Sequence, residues 1–292
     1  MTEPARTGTG EPEIVVLPDA DRVADVAAER IAAVISQAAA RTGRVNFATT
    51  GGSGPVGIYT RLAAGALRES VPWQSVQVWW GDDRFVPRDH PLSNVHAFDS
   101  VLLNTASLTG ESGEGGTGVD VQRGVENGVY VPPDHIHPFP CGDAIAHARG
   151  IDWCAASYAA ELAAAPIRRS DSWPAFDLVL LGVGPDGHVL SVFPNSPALD
   201  SDQLAIGIPA PTHVEPHVPR VTLNPRIIDV ADRVIVVAMG AQKSDILRQI
   251  FGATRDERAL PSQRARRAGV TWILDAAAAA ELPDGLTITR LV

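Results

Sequence analysis

A histidine follows a tight turn in the segment 184-GPDGH-188, and its position suggests proton-transfer chemistry. Imidazole titrates near neutral pH, so His188, with Asp186 two residues before it, is a candidate general base. A lone histidine is more often structural than catalytic. A core histidine, however, does not need Gly-Pro-Asp-Gly before it, so we predict that His188 faces a reactant.

A cluster of glycines in 49-TTGGSGP-55 has the features of an anion-binding loop. Glycines let the backbone approach a ligand closely, and Pro55 suits the first turn of a helix. The free N–H groups and positive dipole end of that helix would attract phosphate. The residues expected at the anion are Gly51, Gly52, Ser53 and Gly54. A plain tight turn is the alternative. The spacings of a dinucleotide-binding loop and of a nucleophile elbow are both absent.

Two acids and an arginine stand together in 81-GDDRFVP-87. Arg84 can hold a carboxylate or a developing oxyanion, while Asp82 or Asp83 orients its guanidinium. A solvated surface ion pair is the ordinary alternative. The aromatic residues on either side of these charges favour a partly enclosed setting.

Two further basic residues, Arg220 and Lys243, begin or follow strand-like segments. Either can be an ordinary surface residue, but together they would complete an anion site if both point at the glycine loop. A local basic site is needed because the formal net charge of −10 repels anions overall. The same charge argues against nucleic acid as a partner, since phosphate backbones require clustered Lys and Arg.

The other histidines do not indicate a metal site. His135 and His137 could bind a metal, but no third ligand lies at a suitable spacing. His213 and His217 lie in the Pro-rich segment 211–220, where a metal role is a minority interpretation. We therefore predict that the protein uses no metal and no cofactor.

The chain has no sequence signal for a membrane or for export. No run of about 18 apolar residues is present, so no membrane span is predicted. Residues 1–12 are polar, lack the apolar region of a signal peptide and are predicted to be a flexible tail. Cys141 and Cys154 are too few for a disulfide framework. We expect reduced thiols and a cytoplasmic protein, either a monomer or a small homo-oligomer.

Runs of β-branched residues alternate with Ala-rich amphipathic segments. The predicted strands are 13–17, 44–50, 76–82, 176–184, 232–240 and 270–275, and the predicted helices are 19–41, 55–69, 143–165 and 241–254. Nearly continuous apolar strands are typical of a parallel sheet that is covered on both faces. The pattern predicts an α/β fold: an open, doubly wound, mostly parallel, Rossmann-like sheet with helices on both faces. A single domain would span 13–292, with a Gly-rich loop at about 109–128.

The candidate residues all follow or border predicted strands. In an open α/β sheet, ligands bind in the crevice beyond the carboxyl ends of the strands. Four predicted strands each deliver an unusual loop to that side of the sheet. We therefore expect the four loops to meet around one small-molecule ligand.

With its loops in this order, the sequence resembles the 6-phosphogluconolactonase family over about residues 13–280. The resemblance rests on the motifs TTGGSGP, WWGDDRFVPRDHPLSNVHAF, PPDHIHPFP, FDLVLLGVGPDGHVLSVFP and RVTLNPRIIDVADRVIVVAMGAQK. It implies hydrolysis of a phosphorylated sugar lactone, in which His188 activates water, Asp186 orients His188 and Arg84 faces the reacting end of the substrate. It assigns the phosphate to Gly51, Gly52, Ser53, Gly54, Arg220 and Lys243.

The sequence departs from the family pattern at three places. Asp83 stands where the family usually has Glu, and Val189 and Leu190 stand where it usually has Thr-Ala. The Gly-rich segment 109–128 is not part of the pattern. None of these changes removes Asp186, Gly187 or His188.

Three other functions remain as alternatives. A glucosamine-6-phosphate deaminase-like enzyme would share the fold and the phosphate loop, but it needs an aromatic residue after the acidic pair, where this chain has Arg84. A non-catalytic sugar-phosphate sensor would need an attached DNA-binding element, and none is visible. A nicotinamide-dependent dehydrogenase is disfavoured by the missing dinucleotide motif.

Overall fold

A computed structural model describes residues 10–103 and 128–291 of the chain. Its helices are α1 (Ala20–Thr42), α2 (Ser53–Leu62), α3 (Gly65–Ser70), α4 (Asn94–Ala97), α5 (Cys141–Ala146), α6 (Ile151–Ala164), α7 (Arg226–Val230) and α8 (Ser244–Ile250). Its strands are β1 (Glu13–Leu17), β2 (Val45–Thr49), β3 (Val76–Trp80), β4 (Asp82–Arg84), β5 (Ile136–His137), β6 (Arg169–Ser170), β7 (Trp173–Pro174), β8 (Leu178–Gly182), β9 (Ala205–Ile208), β10 (Arg220–Leu223), β11 (Val234–Ala238), β12 (Val270–Asp275) and β13 (Ile288–Arg290). Most of the predicted tail and of the Gly-rich loop at 109–128 lies outside the described residues.

The main sheet contains eight strands in the order β13-β1-β12-β11-β8-β2-β3-β5, and every pair in it is parallel. All residues of β2, β3 and β11 are buried, so both faces of the central sheet are covered. The predicted open, mostly parallel α/β sheet in a single domain is confirmed. Within the described residues, no helix is long and apolar enough to cross a lipid bilayer.

The strand order reverses between β2 and β8. From β2 the sheet continues through β3 to β5 in one direction, and from β8 it continues through β11 and β12 in the other. Open parallel sheets bind ligands outside the carboxyl ends of the strands at such a reversal. The loops that follow β2 and β8 therefore border the crevice where a ligand is expected.

A second sheet is antiparallel, with the order β4-β10-β9, and the sequence did not predict it. The predicted strand 76–82 ends at Trp80, and the chain then turns into this second sheet. Gly81 joins the two sheets, because its N–H donates to the Thr49 carbonyl at 2.9 Å and its carbonyl accepts from the Leu223 N–H at 2.7 Å. The acidic pair and Arg84 thus lie on a strand and not on a free loop.

Helix α1 has clear signals at both ends. The Asp19 carboxylate accepts from the Arg22 N–H at 2.9 Å, which caps the first turn. Gly43 ends the helix with a φ of 73°, in the left-handed region that glycine adopts readily. Its buried face lies on the sheet and includes Ile31 and Ile35, both fully enclosed.

Two of the predicted helices are each divided into two in the structure. The predicted helix 55–69 becomes α2 and α3, because Ala64 is extended and Gly65 has a φ of 53°. The predicted helix 143–165 becomes α5 and α6, because Ala148 has a φ of 51° and Gly150 is extended. Both breaks contain alanine, a strong helix former, so the sequence pattern alone did not reveal them.

Candidate active site

The loop that follows β8 brings Asp186 and His188 into direct contact. The carboxylate atom Oδ1 of Asp186 lies 2.6 Å from His188 Nδ1 and also accepts from the His188 backbone N–H at 3.1 Å. The turn depends on glycine, because a Cβ at Gly184 would lie 1.9 Å from His188 Nδ1. Gly187 has a φ of 80°, which is also a conformation that glycine favours. The local sequence Gly-Pro-Asp-Gly is therefore what allows the two side chains to meet.

The Asp186 carboxylate is held in its ionised form. Burial acts to raise the pKa of Asp186, but hydrogen bonds from His188 and His213 and attraction to the His188 ring outweigh it. The pKa of Asp186 therefore lies well below its usual value. A carboxylate beside Nδ1 places a proton on that nitrogen and leaves Nε2 as the basic atom of His188.

A second histidine contacts the same carboxylate. His213 Nε2 lies 2.9 Å from Asp186 Oδ2, so both carboxylate oxygens have a histidine partner. His213 lies 27 residues further along the chain, in the Pro-rich segment, and the sequence suggested no role for it beyond a minor possibility of metal binding. Only the folded chain reveals this contact, since no local motif marks it.

Arg84 is fixed by groups other than the ones predicted. Its guanidinium donates from Nη1 to the Asn94 Oδ1 atom at 2.6 Å and to the Leu92 carbonyl at 3.1 Å. Neither Asp82 nor Asp83 holds the guanidinium directly, which differs from the prediction. Asp82 acts through Asn94, whose side-chain amide donates to the Asp82 carbonyl at 2.8 Å and to its Oδ1 atom at 3.2 Å.

Asp83 is a buried carboxyl group that joins the strand carrying Arg84 to the start of α4 by hydrogen bonds. It accepts from the backbone N–H groups of Asn94 at 2.6 Å and Arg84 at 2.8 Å, and from Ser93 Oγ at 3.0 Å. Burial raises the pKa of Asp83 to about 7 despite these three donors. Asp83 therefore positions the backbone and does not contact the crevice.

Arg220 is a nearly enclosed cation beside the crevice. It is 2 % exposed, and its guanidinium lies 5.4 Å from the centre of the Phe193 ring. Burial and the nearby charge of Arg84 lower the pKa of Arg220, while Asp82 and Asp186 oppose that change. Its Nε atom has no hydrogen-bond partner in the described part of the chain. Such a cation is available to an anionic ligand.

Lys243 lies at the carboxyl end of β11, near the histidine loop. Its ammonium group donates to the Val183 carbonyl at 2.6 Å. Burial lowers the pKa of Lys243, and the negative charge of Asp186 partly opposes this effect. Lys243 is thus held beside the loop that carries Asp186 and His188.

The glycine loop after β2 lies against the Arg84 segment. A Cβ at Gly51 would lie 2.3 Å from Asn94 Oδ1, the atom that accepts from Arg84. Gly52 has a φ of 100°, and α2 begins at the next residue, Ser53. Gly54 packs against Met239, to which an added Cβ would approach within 3.0 Å. The predicted glycine loop therefore opens a helix, and it is in contact with the arginine site through Asn94.

A hydrogen bond from Ser191 joins the segment that follows β8 to the acidic pair. The Ser191 hydroxyl donates to Asp82 Oδ2 at 2.6 Å, in the same carboxylate that holds Asn94. The structure therefore brings the loops after β2, β3 and β8 together, as the sequence predicts for a shared site. Asn94 and Ser191 connect them, and neither was singled out from the sequence.

Two cavities lie outside this cluster of charged groups. One of about 440 Å³ extends from Phe193 along residues 194–198 and 206–209. The other, of about 280 Å³, is lined by residues of β3 and β5 together with Arg44 and Glu161. His137 is engaged by Glu161 at 2.6 Å and Gln77 at 3.0 Å. In the described ranges, no group of three or more His, Cys, Asp or Glu side chains could hold a metal ion.

Fold and site together define an open α/β protein with a carboxylate–histidine pair at its strand reversal, and the buried Arg220 and half-buried Lys243 lie beside that pair. The chain belongs to the family described as glucosamine-6-phosphate isomerases/6-phosphogluconolactonase, whose model matches residues 18–273. The family that the motifs predict is thereby confirmed.

Individual relatives extend over nearly the whole chain. A 6-phosphogluconolactonase of Streptomyces coelicolor is 30% identical over 279 residues, which cover 94% of this chain and 96% of the relative. The structure of 6-phosphogluconolactonase from Trypanosoma cruzi is similar with a TM-score of 0.74 and 27% identity, covering 93% of this chain and 97% of that one. A monomeric glucosamine-6-phosphate deaminase also shares the fold, with a TM-score of 0.68 and 15% identity over 91% of this chain and 99% of that one. The fold alone therefore does not separate the two activities.

Proposed function

We propose that this protein hydrolyses 6-phospho-D-glucono-1,5-lactone to 6-phospho-D-gluconate, as an enzyme of the oxidative pentose phosphate pathway in the cytoplasm. The observation that carries the proposal is the 2.6 Å contact between Asp186 and His188 at the reversal of the strand order. The names of the relatives and the buried cations around this pair support the same reaction.

In the proposed mechanism, His188 is the general base. With Nδ1 turned to Asp186, its Nε2 atom takes a proton from a water molecule as that water attacks the lactone carbonyl carbon. The tetrahedral intermediate then collapses with cleavage of the ring C–O bond, and the ring oxygen leaves as the sugar hydroxyl by accepting the proton that His188 Nε2 took from the water. General-base assistance of this kind typically contributes about 10²–10⁴-fold to a rate.

The basic groups have two proposed tasks. Arg84 faces the reacting end, where a fixed cation stabilises the negative charge that develops on the carbonyl oxygen. Gly51, Gly52, Ser53, Gly54, Arg220 and Lys243 hold the phosphate. Anchoring the remote phosphate fixes the lactone near His188, so binding energy is converted into orientation. A δ-lactone is an activated ester, so the proposed reaction requires neither a metal nor a cofactor.

The deciding experiment follows 6-phosphogluconate formation from freshly generated lactone, after subtraction of the spontaneous hydrolysis. The wild type should be fast, and His188→Ala should lose about 10²–10⁴-fold in kcat with little change in KM. Unphosphorylated gluconolactone should be a poor substrate. A wild type no faster than buffer would contradict the proposal.

The same preparation tests the deaminase alternative. Ammonia release from glucosamine 6-phosphate by the wild type would favour that reaction. The arginine directly after the acidic pair argues against it, because the deaminases carry an aromatic residue at that place.

A further inference from the structure

The Asp186 carboxylate is shared by two histidines from distant parts of the chain. Its Oδ1 atom contacts His188 Nδ1 at 2.6 Å, and its Oδ2 atom contacts His213 Nε2 at 2.9 Å. The first histidine is 13 % exposed and the second 53 %. An enclosed histidine and a solvent-facing one are therefore connected through a single carboxylate.

Phe193 packs between the same two rings. Its ring centre lies 4.7 Å from that of His188 and 5.6 Å from that of His213, the latter in an edge-to-face arrangement. The guanidinium of Arg220 lies over the same phenyl ring. His213 is thus seated by an aromatic contact as well as by its hydrogen bond, which fixes the direction of its ring.

The segment that carries His213 is anchored to the arginine site. Arg220 donates from Nη2 to the Pro216 carbonyl at 3.3 Å, and the Phe85 N–H donates to the Pro219 carbonyl at 2.8 Å. His217 Nδ1 lies 2.8 Å from the Pro211 carbonyl and so closes the segment on itself. These contacts fix the path of the segment that places His213 beside Asp186.

We propose that His213 is a positioning residue for the hydrolysis proposed above, acting through Asp186 on His188. A carboxylate held at one oxygen only can rotate and draw Oδ1 away from His188 Nδ1. The His213 contact holds the second oxygen and keeps the first one facing His188. It also takes up part of the negative charge that Asp186 would otherwise direct at His188. This inference depends on the proposed function, because positioning is defined here by its effect on that reaction.

The charged groups around His213 determine how its removal affects the pH dependence. Asp186 contacts His213 directly. His188, Arg220 and Lys243 interact electrostatically with Asp186 and so affect His213 indirectly. Without His213, one of the hydrogen bonds that lower the pKa of Asp186 is lost, so this carboxylate is protonated at a higher pH. The acidic limb of the rate profile should therefore move to higher pH in a His213→Ala variant.

The kinetic test compares three variants with the wild type. We expect His213→Ala to lower kcat about tenfold with KM nearly constant, since a hydrogen bond to a charged group is lost. His213→Gln should recover most of the rate, because its amide can donate to Asp186 from a similar position. His147→Ala is the matched control, because it removes an exposed histidine that is paired with a carboxylate, Asp143, at the end of α5, and it should retain the wild-type kcat.

Two kinetic results would overturn the inference. The first is an unchanged kcat and an unchanged acidic limb in His213→Ala. The second is a rise in KM at constant kcat, which would make His213 a substrate contact instead.

A spectroscopic measurement keeps this test separate from the test of the activity. The ¹⁵N chemical shifts of the His188 ring report which nitrogen carries the proton. They should indicate protonated Nδ1 in the wild type and in His213→Gln, and an averaged position in His213→Ala. If the wild type hydrolyses no lactone, the proposed function fails, while these shifts still decide whether His213 controls the proton position on His188. Identical shifts in all three proteins would contradict that control.

Discussion

Arg84 and Arg220 lie directly opposite each other in the antiparallel pair formed by β4 and β10. Like charges that face each other across two strands destabilise the pairing. Each arginine also has an Nε atom without a hydrogen-bond partner in the described part of the chain. We therefore propose that an anionic ligand offsets the repulsion between the two guanidinium groups.

This arrangement predicts that anionic ligands stabilise the protein. Saturating 6-phosphogluconate at about 100 times its Kd should raise Tm by about 4–5 °C. Arg220→Met should lose most of that rise while its ligand-free Tm changes little, because an incompletely paired buried cation is removed. Thermal unfolding with and without ligand measures both effects. Arg255→Met, in an exposed ion pair, is the control, and a full ligand effect in Arg220→Met would refute the assignment.

Lys243 is predicted to serve binding more than the chemical step. Loss of its charge in Lys243→Met should raise KM about 10–100-fold at nearly constant kcat, the cost of a charge-assisted hydrogen bond. The effect should disappear with unphosphorylated gluconolactone. Arg248→Met removes an exposed cation five residues later and should have wild-type kinetics. A fall in kcat without a change in KM would instead place Lys243 at the reacting end.

The raised pKa of Asp83 predicts that the stability of the protein depends on pH. Its pKa is raised to about 7, so the folded protein keeps this proton at pH values where the unfolded chain has lost it. The Asp83 contribution to the free energy of unfolding should therefore fall as pH rises from about 4 to 7, by up to about 1.4 kcal/mol per pH unit.

The variant Asp83→Asn removes that titration and resembles the protonated carboxyl group in shape. Relative to the wild type, it should gain stability steadily between about pH 4 and 7, as measured by denaturant unfolding at several pH values. The exposed Asp89→Asn is the matched control. A difference between Asp83→Asn and the wild type that does not change with pH would show that Asp83 stays ionised when folded.

Gly184 is predicted to be essential for the histidine loop. A Cβ there would lie 1.9 Å from His188 Nδ1, so Gly184→Ala must displace His188 from Asp186. Displacement of a reacting group by about 1 Å can cost about 10²-fold in rate. Gly142→Ala in α5 meets no atom within 4 Å and should retain activity and gain up to about 1 kcal/mol of stability. Normal activity of Gly184→Ala, with lactone turnover as the measurement, would mean that the loop relaxes without loss.

The six inner strands of the main sheet were predictable because they are largely buried on both faces, whereas the short outer strands β5 and β13 were not predicted. Runs such as β8 and β11 are almost continuously apolar, and they alternate with amphipathic helices over most of the chain. The position of the crevice followed from the same pattern, since parallel strands end on one side of the sheet. The family motifs then indicated which loops would form the site.

The connections within the site were not predictable in the same way. β4 consists of three charged residues, so no alternation of apolar and polar side chains marks it as a strand. Asn94 and His213 reach their partners only after segments of 10 and 27 residues fold back. Such contacts depend on the path of the backbone between the two residues, and the residue types near each of them do not reveal that path.

The outer strands of the large sheet, β5 and β13, contain two and three residues. An exposed strand edge is a template on which another chain can add a strand, and short edge strands offer few free backbone groups for this purpose. The long central strands are enclosed by their neighbours. In the described part of the chain, the large sheet thus offers few free backbone groups on which a second chain could add a strand.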